Sequence, residues 1–164
     1  MKTTLQVKLL PSFDQHALLL ETMHTFNAAC TWIAAYAFEH RCASKFVLQK
    51  ALYYEVRQRF DLSAQLAIRA IAKAVEAYKR DKTQQVSFRL DGAVVYDERI
   101  MAFHGLEDVS LMTLQGRKVI PMQMGDYLRT RFSRAVGQAD LVLIKGQFFL
   151  LVTLDTPEEP PMEP

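Results

Sequence analysis

The chain has 164 residues, half of them hydrophobic, with 20 Lys and Arg against 18 Asp and Glu and a formal net charge of +2. That is enough apolar material for one sizeable domain or two small ones sharing a core, which excludes a disordered tail. No apolar run approaches the roughly 20 residues that span a bilayer, and Met1-Lys-Thr-Thr4 opens an alternating pattern in place of a signal-peptide core, so the expected setting is cytoplasmic with no membrane partner.

Thr3–Leu10 alternates, with Leu5, Val7 and Leu9 on one face and Gln6 and Lys8 on the other, the period of a half-buried strand that Pro11 ends. Ser12 and Gln15 then have capping-box spacing, and a long helix over Asp14–His40 turns Leu19, Met23, Phe26, Cys30, Ile33 and Phe38 inward, with Trp32 and Tyr36 nearby. In Val47–Phe60, Leu48, Leu52, Val56 and Phe60 recur every fourth residue while Lys50, Tyr54 and Arg57 line another face. In Ser63–Arg80, Leu66, Ala70, Ile71, Ala74, Val75 and Tyr78 form the packed stripe, and Arg69, Lys73, Glu76 and Arg80 are expected on the exposed side.

After Asp81 the period drops to two. Strands are expected at Val86–Leu90, Ala93–Tyr96, Ile100–Phe103, Val109–Leu114, Lys118–Met122, Leu141–Ile144 and Phe148–Leu154, punctuated by Gly92, Gly105, Gly116 and Gly146. A short helix over Gly125–Ala135 carries Arg129, Arg131 and Arg134. The first strand has no neighbour of its own in sequence, so the simplest topology pairs it with these later ones. The expected fold class is therefore α+β: an antiparallel β-barrel built from residues 1–11 and 83–156, a helical bundle of residues 12–82 inserted into it, and an acidic, proline-rich tail at 157–164.

Charge is segregated along this frame. From Arg41 to Arg89 there are eleven basic side chains against Glu55, Asp61, Glu76 and Asp81, a local excess of seven, while helix Asp14–His40 carries no Lys or Arg. A polyanion responds to the nearest face, because salt screens charges beyond about 8 Å. Cations neutralise phosphates, and rings such as Tyr53, Tyr54, Tyr78 and Tyr127 offer stacking surface to bases. Arg117-Lys118, at the start of a barrel strand, forms a second basic pair, whereas Arg41, Lys45 and Arg99 are expected outside the groove.

No GxSxG, HExxH, P-loop or GxGxxG pattern occurs, so no catalytic residue and no cofactor is assigned. Asp91, Asp97, Glu98, Glu107 and Asp108 cluster around turns and read as solvated loop acids, and His104 as a turn residue. Cys30 and Cys42 are too few for a disulfide scaffold, and His40 with Cys42 lacks the paired spacing of a zinc site, so no metal is assigned.

The order of several phrases carries a resemblance. Leu48-Gln-Lys-Ala-Leu-Tyr-Tyr-Glu-Val-Arg-Gln-Arg-Phe-Asp-Leu-Ser-Ala-Gln65, Ala77-Tyr-Lys79, Val94-Val-Tyr-Asp97, Leu114-Gln-Gly-Arg117, Ala139-Asp-Leu-Val142 and Gly146-Gln-Phe-Phe-Leu-Leu-Val-Thr153 together resemble the N-terminal half of the TnpB/OrfB proteins of insertion sequences, kin to the compact type V CRISPR effectors. The resemblance implies an RNA-guided DNA endonuclease in which a wedge-type, OB-like barrel with an inserted recognition domain grips the guide RNA scaffold and the guide–target duplex. The family's three nuclease acids, on a RuvC-type fold, and its four-cysteine zinc element come afterwards. Here strand Phe148–Leu154 is followed by Thr156-Pro-Glu-Glu-Pro-Pro-Met-Glu-Pro164, so none of those acids can be carried over and this chain alone is expected not to be an enzyme.

The expected function is thus binding of RNA and an RNA–DNA hybrid, recognised by backbone and A-form shape. Lys50, Tyr54, Arg57, Arg69, Lys73, Lys79, Arg80, Arg117, Lys118, Arg129 and Arg131 are the expected contacts. Two alternatives stand beside it: half of a split nuclease whose RuvC-type domain sits on another chain, and a protein-interaction module whose basic face only solubilises it. Apolar surface left uncovered without the nuclease half would favour a homodimer.

Overall fold

The computed structural model describes residues 2–132 and 137–155; the acidic tail and the predicted end of the last helix, including Arg134 and Ala135, lie outside them. Strand β1 (Lys2–Leu9) is followed by helices α1 (Phe13–Glu39), α2 (Lys45–Phe60) and α3 (Ala64–Arg80). Strands β2 (Val94–Asp97), β3 (Met101–His104), β4 (Asp108–Thr113) and β5 (Gly116–Gln123) come next, then the short helix α4 (Asp126–Arg131) and the hairpin of β6 (Gln138–Ile144) and β7 (Gln147–Asp155).

All pairings are antiparallel, and the spatial order is β2-β6-β7-β1-β5-β4-β3. The strand at the start of the chain is therefore central, with Val7 opposite Leu150 on one side and Leu9 opposite Met122 on the other. Its alternation is what the position demands: Leu5, Val7 and Leu9 are buried while Thr4 and Gln6 face outward. The two outer strands, β2 and β3, are consecutive in the chain. Ile100 N–H donates to the Asp97 carbonyl at 3.1 Å, Met112 N–H donates to the Ile100 carbonyl at 2.9 Å, and the buried Tyr96 hydroxyl donates to the Met112 carbonyl at 2.8 Å. These bonds draw the two edges together into a nearly closed barrel, which removes exposed edges.

Helix α1 starts where the sequence predicts. The Ser12 side chain accepts from Gln15 N–H, and the Gln15 side chain accepts from Ser12 N–H, completing the capping box. Leu19, Met23, Phe26, Cys30 and Ile33 are fully buried, each worth about 1.5–3 kcal/mol of transfer free energy for the larger side chains. Small residues, Ala34 one turn beyond Cys30 on α1 and Ala67, Ala70 and Ala74 on α3, are buried where these helices pack, and Cys30 Sγ meets the Ala70 carbonyl at 3.7 Å. Burial pushes the Cys30 thiol up to about 12, so it is a neutral packing group.

Helix α2 ends at Asp61, whose backbone is left-handed (φ 54°), a conformation a short polar residue tolerates. Ser63 then caps α3 by accepting from Leu66 N–H. Buried Leu62 plugs the corner between the helices. One continuous core cluster runs from these helices into the barrel strands, through Leu52, Ile71, Tyr96 and Leu150.

One expectation needs correction. Val86–Leu90 is irregular chain, because Phe88 N–H is satisfied by the Thr31 hydroxyl of α1 at 2.9 Å and its ring packs against the helical core instead of a strand neighbour. Among the described residues the late helix spans Asp126–Arg131, with Gly125 at its N-cap offering no side-chain oxygen to hold its first turn.

Candidate nucleic-acid interface

Helix α2 buries Leu48, Leu52 and Val56 and turns Phe46, Lys50, Tyr53, Tyr54 and Arg57 the other way, a spacing of four, seven, eight and eleven residues that shares one helical face. The large rings are not hidden: Phe46 is 77% and Tyr54 80% exposed. Tyr53 and Tyr54 meet edge to face with centroids 5.1 Å apart, and the Arg57 guanidinium sits 5.7 Å from the Tyr53 ring centre. Arg57 Nε also donates to the Leu62 carbonyl at 3.2 Å, so this cation is held in place by the α2–α3 corner. Phe46, Gln49, Lys50, Tyr53, Tyr54 and Ile68 of α3 enclose a groove of about 460 Å³.

A second hollow of about 480 Å³ adjoins the first, sharing Gln49 and Ile68 with it, and lies between α2, α3 and the β2–β3 turn. Its charged lining is Lys45, Arg69, Arg99, Asp97 and Glu98. Lys45 and Arg99 therefore stand beside Arg69, a correction to the expectation that they fall outside the groove. Asp97 is also unlike the expected solvated acid: it is 5% exposed and accepts from Gln65 Nε2 at 2.6 Å, Arg69 Nε at 2.7 Å and Arg99 N–H at 2.9 Å. Desolvation pushes its carboxyl upward, but these donors outweigh that and hold it below the ordinary carboxylate value.

The expected exposed stripe of α3 divides. Glu76, Lys79 and Arg80 are exposed, with Lys79 and Arg80 in the last turn where the helix dipole favours cations. Lys73 is turned inward. Its ammonium donates to Asn27 Oδ1 at 2.8 Å and to the Ala93 carbonyl at 2.6 Å, and lies 5.5 Å and 5.2 Å from the rings of Phe26 and Phe88. Desolvation pulls its proton affinity below the ordinary lysine value. Arg69 and Lys73 thus both reach the barrel because the sheet packs against the side of α3 that sequence periodicity marks as polar.

The remaining basic residues are dispersed. Arg117 Nη2 donates to the Arg99 carbonyl at 2.6 Å and Nη1 to Ser110 Oγ at 3.3 Å, bracing the β2–β3 turn. Neighbouring Lys118 alternates to the other face of β5 and lines a separate hollow with Asp14, Glu21 and Gln115. Arg129 pairs with Glu107 at 2.9 Å, and Arg131 lies 3.7 Å from the Tyr127 ring centre. Lys50, Tyr54, Arg57 and Arg69 are consequently the predicted residues that one surface brings together, joined by Lys45, Phe46, Tyr53 and Arg99. The recurrence of rings and cations along α2 was the signal for Phe46 and Tyr53; Arg99 had none, since a turn after Asp97 brings it there.

Among the described residues, no three His, Cys, Asp or Glu side chains converge on a point where a metal ion would sit, and no helix is long and apolar enough to cross a membrane. Neither the models of known protein families nor the curated proteins compared with this chain match it.

Proposed function

We propose that the chain is the nucleic-acid-binding portion of a TnpB/OrfB-like, transposon-associated RNA-guided nuclease, and that it grips structured RNA and an RNA–DNA hybrid without cutting either. The observation that carries this reading is the outer face of α2, where Lys50 and Arg57 alternate with highly exposed Phe46 and Tyr54 beside the basic hollow of Lys45, Arg69 and Arg99. Exposed cations interleaved with exposed rings suit a ligand that offers both phosphates and bases. The ordered resemblance along nearly the whole chain supports the same reading.

Under this proposal the barrel is of the wedge, OB-like type, and α1–α3, which fall between β1 and β2 in chain order, are its recognition bundle. Cleavage belongs to a RuvC-type nuclease half, which on another chain would complete a split enzyme. The direct test is purification from the native host followed by sequencing of any bound RNA, with the 260 to 280 nm absorbance ratio as the first readout. Enrichment of one structured RNA supports the proposal. Protein that is free of nucleic acid, and that fails to bind RNA or a hybrid at low salt, contradicts it and leaves a protein-interaction module in its place.

A further inference from the structure

The two adjoining hollows differ in chemistry in a way that matches one repeating unit of a nucleic-acid strand. The groove of Phe46, Lys50, Tyr53, Tyr54 and Ile68 is walled by two highly exposed rings and floored by apolar side chains, with polar groups supplied by Gln49 and Lys50. Its volume, about 460 Å³, falls in the range of sites that hold small organic ligands. The hollow beyond Gln49 presents Lys45, Arg69 and Arg99 beside the carboxylates of Asp97 and Glu98, a net excess of one positive charge; Asp97 fixes Arg69, while neither Lys45 nor Arg99 is in an ion pair among the described residues.

A flat aromatic solute with an anion attached fits this pairing, and a nucleic-acid strand supplies both in every repeat, whereas a peptide does so only where an aromatic or apolar side chain stands next to an acid. Exposed large rings are costly to leave in water unless a partner covers them, and nucleobases stack on them whatever their sequence. A base still paired in a duplex has its faces covered by its neighbours; an unpaired base does not.

We infer that the α2 groove is a single-strand site: an unpaired nucleobase stacks against Phe46 and Tyr54, and the adjoining phosphate lies in the hollow of Lys45 and Arg99. This rests on the nucleic-acid reading of the same surface and adds to it the state of the ligand at this groove, an unpaired stretch adjoining the structured RNA or hybrid. Gln49, shared by both hollows, marks where sugar and backbone cross from one to the other.

The test compares two single strands of about twelve nucleotides, an oligodeoxythymidylate, whose bases stack little on one another, and a strand of the same length made wholly of abasic sugar phosphate, by fluorescence anisotropy with the full chain. The base-bearing strand is expected to bind on the order of tenfold more tightly. Phe46→Ala with Tyr54→Ala should abolish that preference while leaving the abasic strand's affinity and salt dependence unchanged, and Phe46→Tyr with Tyr54→Phe should keep it. Both positions are exposed, so an unchanged circular dichroism spectrum and melting temperature serve as the folding control. Equal affinity of the wild type for both strands overturns the inference while leaving the nucleic-acid reading intact. So does equal weakening of both strands by the alanine pair. Failure of both strands and of structured RNA to bind would remove the underlying reading as well.

Discussion

Arg69 Nη2 lies 2.6 Å from Asp97 Oδ2, joining the middle of α3 to the end of β2 across the interface between helices and barrel. The Asp97 side chain is only 8% exposed, so removing its partner leaves a carboxylate that water barely reaches. Arg69→Gln is expected to lower the unfolding free energy by about 1.5–3 kcal/mol, measured by chemical denaturation. An unchanged midpoint would show that the pair does not hold the two layers together.

The same carboxylate makes a pH prediction. Its folded-state proton affinity is depressed by Gln65, Arg69 and the Arg99 N–H, which outweigh desolvation. The stability it confers is therefore complete above the unfolded value, near 3.8, and is withdrawn as pH falls through the folded value below that. Asp97→Asn should be less stable than wild type at neutral pH and should lose less stability on acidification. Parallel pH profiles for the two proteins would contradict this.

Lys73 and Arg80, two turns apart on α3, should behave in opposite ways. Lys73→Ala leaves Asn27 Oδ1 and the Ala93 carbonyl without their shared donor and is expected to cost about 2–3 kcal/mol, whereas Arg80→Ala, at an exposed position, should stay within about 0.5 kcal/mol. Because burial depresses the lysine's proton affinity, the unfolded chain holds that proton more tightly, and wild-type stability gains as pH rises toward 10.5. The gap between wild type and Lys73→Ala should widen over the same rise. Thermal melts at neutral and alkaline pH measure both effects.

Much of this arrangement is legible in the sequence. The strand and helix periods place Val7, Phe26, Leu52 and Ile71 in the core, and the isolation of the first strand points to its long-range pairing with β7 and β5. What periodicity conceals is the second neighbour of α3. A helix packed on another helix with one face and on a sheet with its flank needs only one apolar stripe, and here the flank is secured by Arg69 and Lys73 bonding to fixed acceptors. Long amphipathic side chains of this kind read as solvent-facing in sequence. For the same reason Asp97 reads as a loop acid, although it is the acceptor that receives α3.

The central pairing of β1 gives a further prediction. A chain beginning at Ser12 would leave the edges of β7 and β5 that face β1 without a partner in the middle of the sheet and uncover the buried Leu150, Val152 and Leu154. Loss of the cooperative melt and of native β content is expected. Retention of both by circular dichroism would show that the barrel closes without its first strand.

Binding of RNA by the α2 face is tested most directly by the salt dependence of the affinity. Lys45, Lys50 and Arg57 changed together to Gln should weaken binding and flatten the slope of log K against log salt by about two to three units, since each cation that meets a phosphate contributes nearly one. The control is Lys82, Arg89 and Lys145 changed to Gln, an equal loss of charge at exposed positions off the α2 face. A flattened slope is expected for the first triple and a nearly unchanged one for the second; equal effects from both would contradict binding by the α2 face and leave only diffuse attraction.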